Sequence, residues 1–250
     1  DSDEGAVNRG CAQVYSATTG AWVRALFARG AAAVDRRFGL ACAISGNLAL
    51  ITETGTALTH VFDLSTGKWL RSFKPLPPDD TTANNTGWSL AVEGSRVVVG
   101  APLTDGKGAA FVFDLKTGAQ LGKLTNASVP AGAALGGAVA IEGDLALLGS
   151  HLEASNRLHR PGRCPRPALL GSHLEASNRG GAWLFDLRTM SLIRHLQPAA
   201  SVSGDYVGLS VALHQGKAIL GAPYSSGFMG KVFVITLSDS SERTWAPSDL

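Results

Sequence analysis

A His-x-Glu pair stands at His151-Leu152-Glu153 and again at His173-Leu174-Glu175, with Cys164 between the two. On a helix, and followed by Pro-Cys-x-x-Cys, such a pair would hold zinc and shuttle protons for deamination. Here only one cysteine is present, no helical periodicity surrounds the pairs, and the second pair belongs to a letter-for-letter copy of the first. That excludes the zinc reading. Gly208-Leu209-Ser210-Val211-Ala212 resembles a nucleophile elbow but lacks the strand-to-helix context that would expose the serine. No phosphate-binding loop, dinucleotide fingerprint or His-Glu-x-x-His is present. His60, His195 and His214 fall in different stretches of the chain and read as surface or turn residues. Two sequons, Asn84-Asn85-Thr86 and Asn126-Ala127-Ser128, make Asn84 and Asn126 glycosylation candidates if the chain is secreted.

The elements that would position these residues repeat. Val14-Tyr15-Ser16-Ala17-Thr18-Thr19-Gly20 returns as Val61-Phe62-Asp63-Leu64-Ser65-Thr66-Gly67 and as Val112-Phe113-Asp114-Leu115-Lys116-Thr117-Gly118. It decays to Leu184-Phe185-Asp186-Leu187-Arg188-Thr189-Met190, and a fifth start stands at Val232-Phe233-Val234-Ile235. Each start reads as a strand entering a tight hairpin. The carboxylates of Asp63, Asp114 and Asp186, or the Ser16 hydroxyl, would accept bonds from the turn amides. A second hairpin signal follows at Ser45-Gly46-Asn47, Glu93-Gly94-Ser95, Glu142-Gly143-Asp144 and Gln215-Gly216-Lys217. Four short meandering strands per unit, at a period of about 40–50 residues, predict the blades of a β-propeller. Trp22, Trp69, Trp88 and Trp183 are then expected to pack between blades.

One interval is too long. The starts lie 47, 51, 72 and 48 residues apart, and residues 146–157 recur at 168–179, an offset of 22 whose removal restores a spacing of 50. The spacer Leu158–Pro167 holds three prolines, a glycine and three arginines, which cannot alternate as a strand. Residues 158–179 are therefore expected to form an extruded, disordered loop. Units are expected at about 10–58, 59–106, 107–180 and 181–229, with a partial one at 230–237 and a tail at 238–250. The ring could close on five blades, sharing its last blade between 230–237 and the N-terminal strand. It could equally be an incomplete arc of a larger, seven-bladed propeller.

The formal charge of +2 comes from the copied segment, whose Arg160, Arg163, Arg166 and Arg179 outweigh Glu175. Without it the domain is close to neutral, so no nucleic-acid partner is expected. No run of about 18 apolar residues predicts membrane insertion. Cys11 and Cys42 could pair but read better as buried small side chains. The opening Asp1-Ser2-Asp3-Glu4-Gly5 resembles the middle of a loop, as in a mature chain or a fragment.

The Gly-centred strand and the Gly-Ala-Pro element thirteen residues on resemble the FG-GAP repeat, known from the propeller of integrin α-subunits. Phe38-Gly39 keeps the first pair, with Thr86-Gly87, Leu135-Gly136 and Val207-Gly208 as its equivalents. Gly100-Ala101-Pro102 and Gly221-Ala222-Pro223 keep the second element. It is altered at Gly149-Ser150-His151 and lost at Thr52-Glu53-Thr54. The resemblance implies calcium held by an acidic loop after Gly-Ala-Pro. Here that loop offers only Asp105, while Asp1 and Asp3 approach the pattern at the N-terminus, so these three are the calcium candidates and no cofactor is expected. It also implies a non-enzymatic scaffold that binds protein or glycan on one loop face, within a larger extracellular or cell-surface protein. The alternative is a propeller enzyme, a lyase or quinoprotein-like oxidoreductase, with its site in the central channel.

Overall fold

Hairpins closed by left-handed residues divide the chain into four-stranded antiparallel sheets. The computed structural model describes residues 10–29, 36–150 and 179–246. A two-stranded sheet comes first, β1 (Ala12–Tyr15) and β2 (Trp22–Leu26). The first full sheet is β3 (Phe38–Ser45), β4 (Leu48–Glu53), β5 (Leu58–Asp63) and β6 (Trp69–Phe73). The second is β7 (Ser89–Glu93), β8 (Arg96–Ala101), β9 (Ala109–Asp114) and β10 (Gln120–Leu124), and the third β11 (Ala138–Glu142), β12 (Leu145–Ser150), β13 (Gly181–Asp186) and β14 (Ser191–Leu196). The fourth is β15 (Ser210–His214), β16 (Lys217–Ala222), β17 (Lys231–Thr236) and β18 (Glu242–Trp245). Within each, neighbours in sequence are neighbours in space, the meander of a propeller blade.

The first strands of successive sheets lie side by side, β3 by β7, β7 by β11 and β11 by β15, and so form the inner wall. Apolar faces of consecutive sheets pack on each other. Val98, Ala110, Val112 and Leu124 of the second meet Ala146, Leu148, Trp183 and Phe185 of the third. Leu147, Ala182, Leu184 and Leu196 of the third meet Leu213, Ala218, Leu220, Phe233 and Ile235 of the fourth. Each fully buried side chain of this size contributes about 1.5–3 kcal/mol, so the stacking of sheets rather than any single sheet holds the fold. The four complete sheets stand as an arc, with no closure of the fourth on the first among the described residues.

Three expectations need correction. The expected units began at the strand that is third in its sheet, so each straddles two sheets. The true break lies in the long connections 74–88, 125–137 and 197–209, because no ladder joins a fourth strand to the next first strand. Residues 238–250 are not simply a tail, since β18 pairs with β17 in the register Val232 to Trp245. The turn before it repeats the hairpin bonds, Thr236 N–H to Ser241 O at 2.9 Å and Ser240 N–H to Thr236 O at 2.9 Å, as at Asp114 and Gly118. Finally, β17 is paired on both sides, by β16 and β18, which leaves no slot for the N-terminal strand in the fourth sheet. That strand instead pairs in β1–β2, which occupies the place of third and fourth strands and packs Ala12, Val14 and Leu26 on Ala49, Ile51 and Phe62.

The copied segment 158–179 lies outside the described residues except for Arg179, which belongs to the fold. Its guanidinium donates to Ser201 O at 2.6 and 3.1 Å, and its carbonyl accepts from Val207 N–H at 2.8 Å. Cys11 and Cys42 are free thiols, and Cys42 is exposed, against the buried packing expected.

Candidate functional site

Because the strands are antiparallel, the second-to-third and fourth-to-first connections all lie at one end of the arc. The tight hairpins lie at the other. The calcium candidate Asp105 and the two sequon asparagines, Asn84 and Asn126, share the long-loop end. Asp105 sits in the 102–108 loop with φ of 52° and accepts from Lys123 Nζ at 2.9 Å. The same ammonium donates to both oxygens of Asp79, at 2.9 and 3.0 Å. Partial burial works to lower the Lys123 pKa, but the bonds to Asp105 and Asp79 outweigh it and hold the ammonium above its usual range. This arrangement does not fit calcium, which needs six to eight converging oxygens, because a lysine cation stands between the two carboxylates. No group of three or more metal-binding side chains occurs among the described residues. Asp1 and Asp3 lie outside them.

The sequons differ. Asn84 Nδ2 is engaged, donating to Asp79 O at 3.0 Å, and the sequon's Thr86 is buried. Asn126 turns its Oδ1 to the Ser128 N–H at 2.9 Å and to the Ser128 hydroxyl, in an exposed turn.

An aromatic cluster lies at the same end. The Tyr206 ring lies 4.9 Å from Tyr224, and Tyr224 lies edge-on to Phe228 at 5.5 Å. Phe228 is 67 % exposed and its neighbour Met229 62 %. The backbone is bent to present them. Tyr206, Ser226, Gly227 and Phe228 all have positive φ, that of Phe228 being 73°. A bulky residue held in that region costs of order 1–3 kcal/mol and persists only where the surroundings fix it. Below the cluster, buried Asp205 accepts from Val202 N–H at 2.9 Å, and Arg179 clamps Ser201. The sequence shows Tyr224-Ser225-Ser226-Gly227 only as a loop without acids. The signal it held was the pair of apolar residues, Phe228-Met229, directly after it.

The inner wall is mostly apolar. Its carboxylates sit at the hairpin end and staple sheet to sheet: Glu93 accepts from Gly143 N–H at 2.6 Å and Glu142 from Gln215 N–H at 2.6 Å. The hairpin aspartates behave as expected. Bonds from the Ser65 hydroxyl and then from Thr66 pull the Asp63 pKa down to about 2. Asp114 is lowered by Thr117 and Asp186 by Arg188, and Ser16 plays the same part by accepting from Thr19 N–H at 3.2 Å.

Two histidines are not surface residues. His60 is buried and bonds Glu53 Oε2 at 2.8 Å through Nε2, while Arg36 grips both oxygens of the same fully buried carboxylate. Burial works to raise the Glu53 pKa, but bonds from His60, Arg36 and Thr56 bring it below the usual carboxylate value. His195 stacks on Trp183 at 4.1 Å, and burial lowers its pKa. Of the tryptophans, Trp183 packs between sheets as expected, whereas Trp22 is 59 % exposed. An open cleft of about 480 Å³ lies between β2 and the first full sheet, lined by Phe27, Arg29, Phe62, Lys68 and Trp69 among others. No helix of the described residues is long and apolar enough to cross a membrane.

Residues 69–113 match the family model described as FG-GAP repeat. No curated protein matches the chain in sequence. Among solved structures it is similar to hydrazine synthase of Kuenenia stuttgartiensis, at TM-score 0.55 and 12 % identity over 83 % of this chain and 49 % of that one. It is likewise similar to U3-55K, at TM-score 0.55 and 10 % identity over 83 % of this chain and 51 % of that one. The chain thus spans about half the length of each, and at such identity the likeness shows the fold alone. Together with the sheet order, these findings support a β-propeller fold with an FG-GAP repeat at residues 69–113.

Proposed function

We propose that the protein is a non-enzymatic propeller scaffold that binds a protein partner through its long-loop end, as part of an extracellular or cell-surface protein. The observation that carries this reading is the Tyr206–Tyr224–Phe228 cluster with exposed Met229. Aromatic and methionine side chains concentrate binding energy at interfaces, and here the backbone holds them ready, which reduces the ordering cost of binding. Tyrosine faces also suit a sugar ring, so a glycan is the second ligand class. The inner wall supports the non-enzymatic side of the reading, because Glu93 and Glu142 spend their carboxylates on backbone amides of the next sheet. Extracellular exposure is supported by the company FG-GAP repeats keep and by the accessible Asn126 sequon.

The test is a selection against a displayed peptide library and an immobilised glycan panel, followed by titration of the best ligand. The Tyr224→Ser, Phe228→Ser double variant should lose at least tenfold in affinity while melting within a few degrees of the wild type. A Lys116→Ser variant at the opposite end should bind normally. Ligands that bind the double variant undiminished would refute the loop-end site.

A further inference from the structure

Outer strands hook the next sheet from one fixed position, and at one joint the parts are exchanged. The residues paired across from Val14, Val61, Val112 and Leu184 are Arg24, Arg71, Gly122 and Arg194. Arg24 donates to Ser65 O at 3.0 Å and Arg71 to Leu115 O at 3.2 Å, each in a hairpin turn of the next sheet. Arg194 donates to the Ser240 hydroxyl in the turn of the fourth sheet. Gly122 has no side chain with which to reach the third sheet, and there the turn reaches back instead.

Where an arginine hooks the turn, the residue that closes the turn is small. Gly67, Gly118 and Ser240 take that place at φ of 71°, 77° and 61°. A Cβ on Gly67 would lie 2.4 Å from Arg24 Nη1. In the third sheet the same place is held by Met190, at φ of 55°. That backbone costs a non-glycine residue about 1–2 kcal/mol, so glycine would suit the turn alone better. What Met190 gains is contact across the joint. A Cβ on Gly122 would lie 2.6 Å from its Cγ and 2.8 Å from its Sδ, and its side chain packs on the cluster shared by the second and third sheets. Arginine on the strand requires a small turn residue, and glycine on the strand admits a long one. A thioether thus does for this joint what a guanidinium does for the others.

We propose that the joint between the second and third sheets is redox-sensitive, with Met190 as its sensing residue. The co-reactant is hydrogen peroxide. A lone pair of the thioether sulfur takes one oxygen as the O–O bond breaks, and the other oxygen leaves as water. The sulfur is oxidised by two electrons and the peroxide is reduced by two. The sulfoxide adds an atom where Sδ already lies against Gly122, and it sets a polar acceptor against apolar packing. Met190 is half-buried, within reach of so small an oxidant. The step is reversible by methionine sulfoxide reductases, so the joint can be loosened and restored. The chain's other methionine, Met229, is 62 % exposed in the 223–230 loop and serves as an internal control.

The experiment is urea unfolding of the full chain before and after hydrogen peroxide, with peptide mass mapping to locate the added oxygen. Wild type is compared with Met190→Leu and with the double variant Gly122→Arg, Met190→Gly, which rebuilds the arginine hook. Both variants keep Met229 and every cysteine, so oxidation at those sites is common to all three. Oxidised wild type should lose about tenfold or more in its folding equilibrium, as for an overfilled packed site, and recover after reductase treatment. The two variants should shift less than about twofold, within the range of surface changes. Gly122→Arg alone should be destabilised by its clash with Met190, and adding Met190→Gly should restore most of the loss. Met190 that stays unoxidised in the folded chain, an equal loss in wild type and variants, or a double variant no more stable than Gly122→Arg would each overturn the proposal.

Discussion

At Thr52-Glu53-Thr54 the repeat loses its Gly-Ala-Pro letters, and the side chains that replace them take on structural work. Thr52 Oγ1 donates to Gly87 O of the second sheet at 2.7 Å, as Ser89 Oγ donates to Gly136 O of the third at 2.8 Å. Glu53 is drawn into the interior and held there by Arg36 and His60. Removing one partner of such a buried pair leaves the other charge uncompensated. Glu53→Ala is accordingly expected to cost about 3–5 kcal/mol in urea unfolding, and a loss below 1 kcal/mol would show that Arg36 escapes to water. Folding lowers the Glu53 pKa, so its contribution is complete above the unfolded value and fades as pH falls through the folded one. The difference between wild type and Glu53→Ala should therefore shrink in acid. Isolation in sequence gives His60 the look of a surface residue, and that look is misleading. The signal that could have placed it is its slot, because aligned third strands put His60 where Phe111 and Trp183 stand, and those are core positions.

At the scale of the strand pair, two glycines thirteen residues apart join one sheet to the next. Gly87, Gly136 and Gly208 donate N–H to the carbonyls of Gly100, Gly149 and Gly221 at 2.9, 3.0 and 3.0 Å, extending the ladder between first and second strands. They also touch the preceding sheet. A Cβ on Gly136 would lie 2.3 Å from Ala109 O, and one on Gly100 would lie 2.0 Å from Gly136 O. The repeat keeps these residues because backbone meets backbone there, a reason invisible in one strand read alone. The hairpins and their aspartates were legible because local chemistry fixes them. Sheet boundaries were not, since they depend on which strands fail to pair. Gly136 has φ of 84° and is crowded, whereas Gly143 has φ of 56° and nothing within 4 Å. Gly143→Ala should cost about 1 kcal/mol from the left-handed backbone alone, and Gly136→Ala roughly 3 kcal/mol or more once the clash is added. Equal denaturation midpoints for the two would show that the close approach is not what keeps glycine in the repeat.

For the whole molecule, the period and the copied segment bear on how much connection the arc tolerates between a second and a third strand. Ala101 and Ala109 are joined through residues 102–108, and Ala222 and Lys231 through residues 223–230. In the third sheet Ser150 pairs directly with Gly181, yet residues 151–180 lie between them. Because residues 146–157 and 168–179 are identical, deleting 158–179 leaves Arg157 where Arg179 now clamps Ser201, and leaves eight residues between Ser150 and Gly181. That equals the connection of the fourth sheet. Shortening a loop from thirty residues to eight recovers about 1 kcal/mol of closure entropy, with every described contact kept. The deletion variant should therefore unfold at a slightly higher urea concentration with an unchanged slope, since the surface buried by the sheets is the same. A variant that fails to fold, or melts well below the wild type, would show that the copied segment packs on the arc rather than merely spanning it.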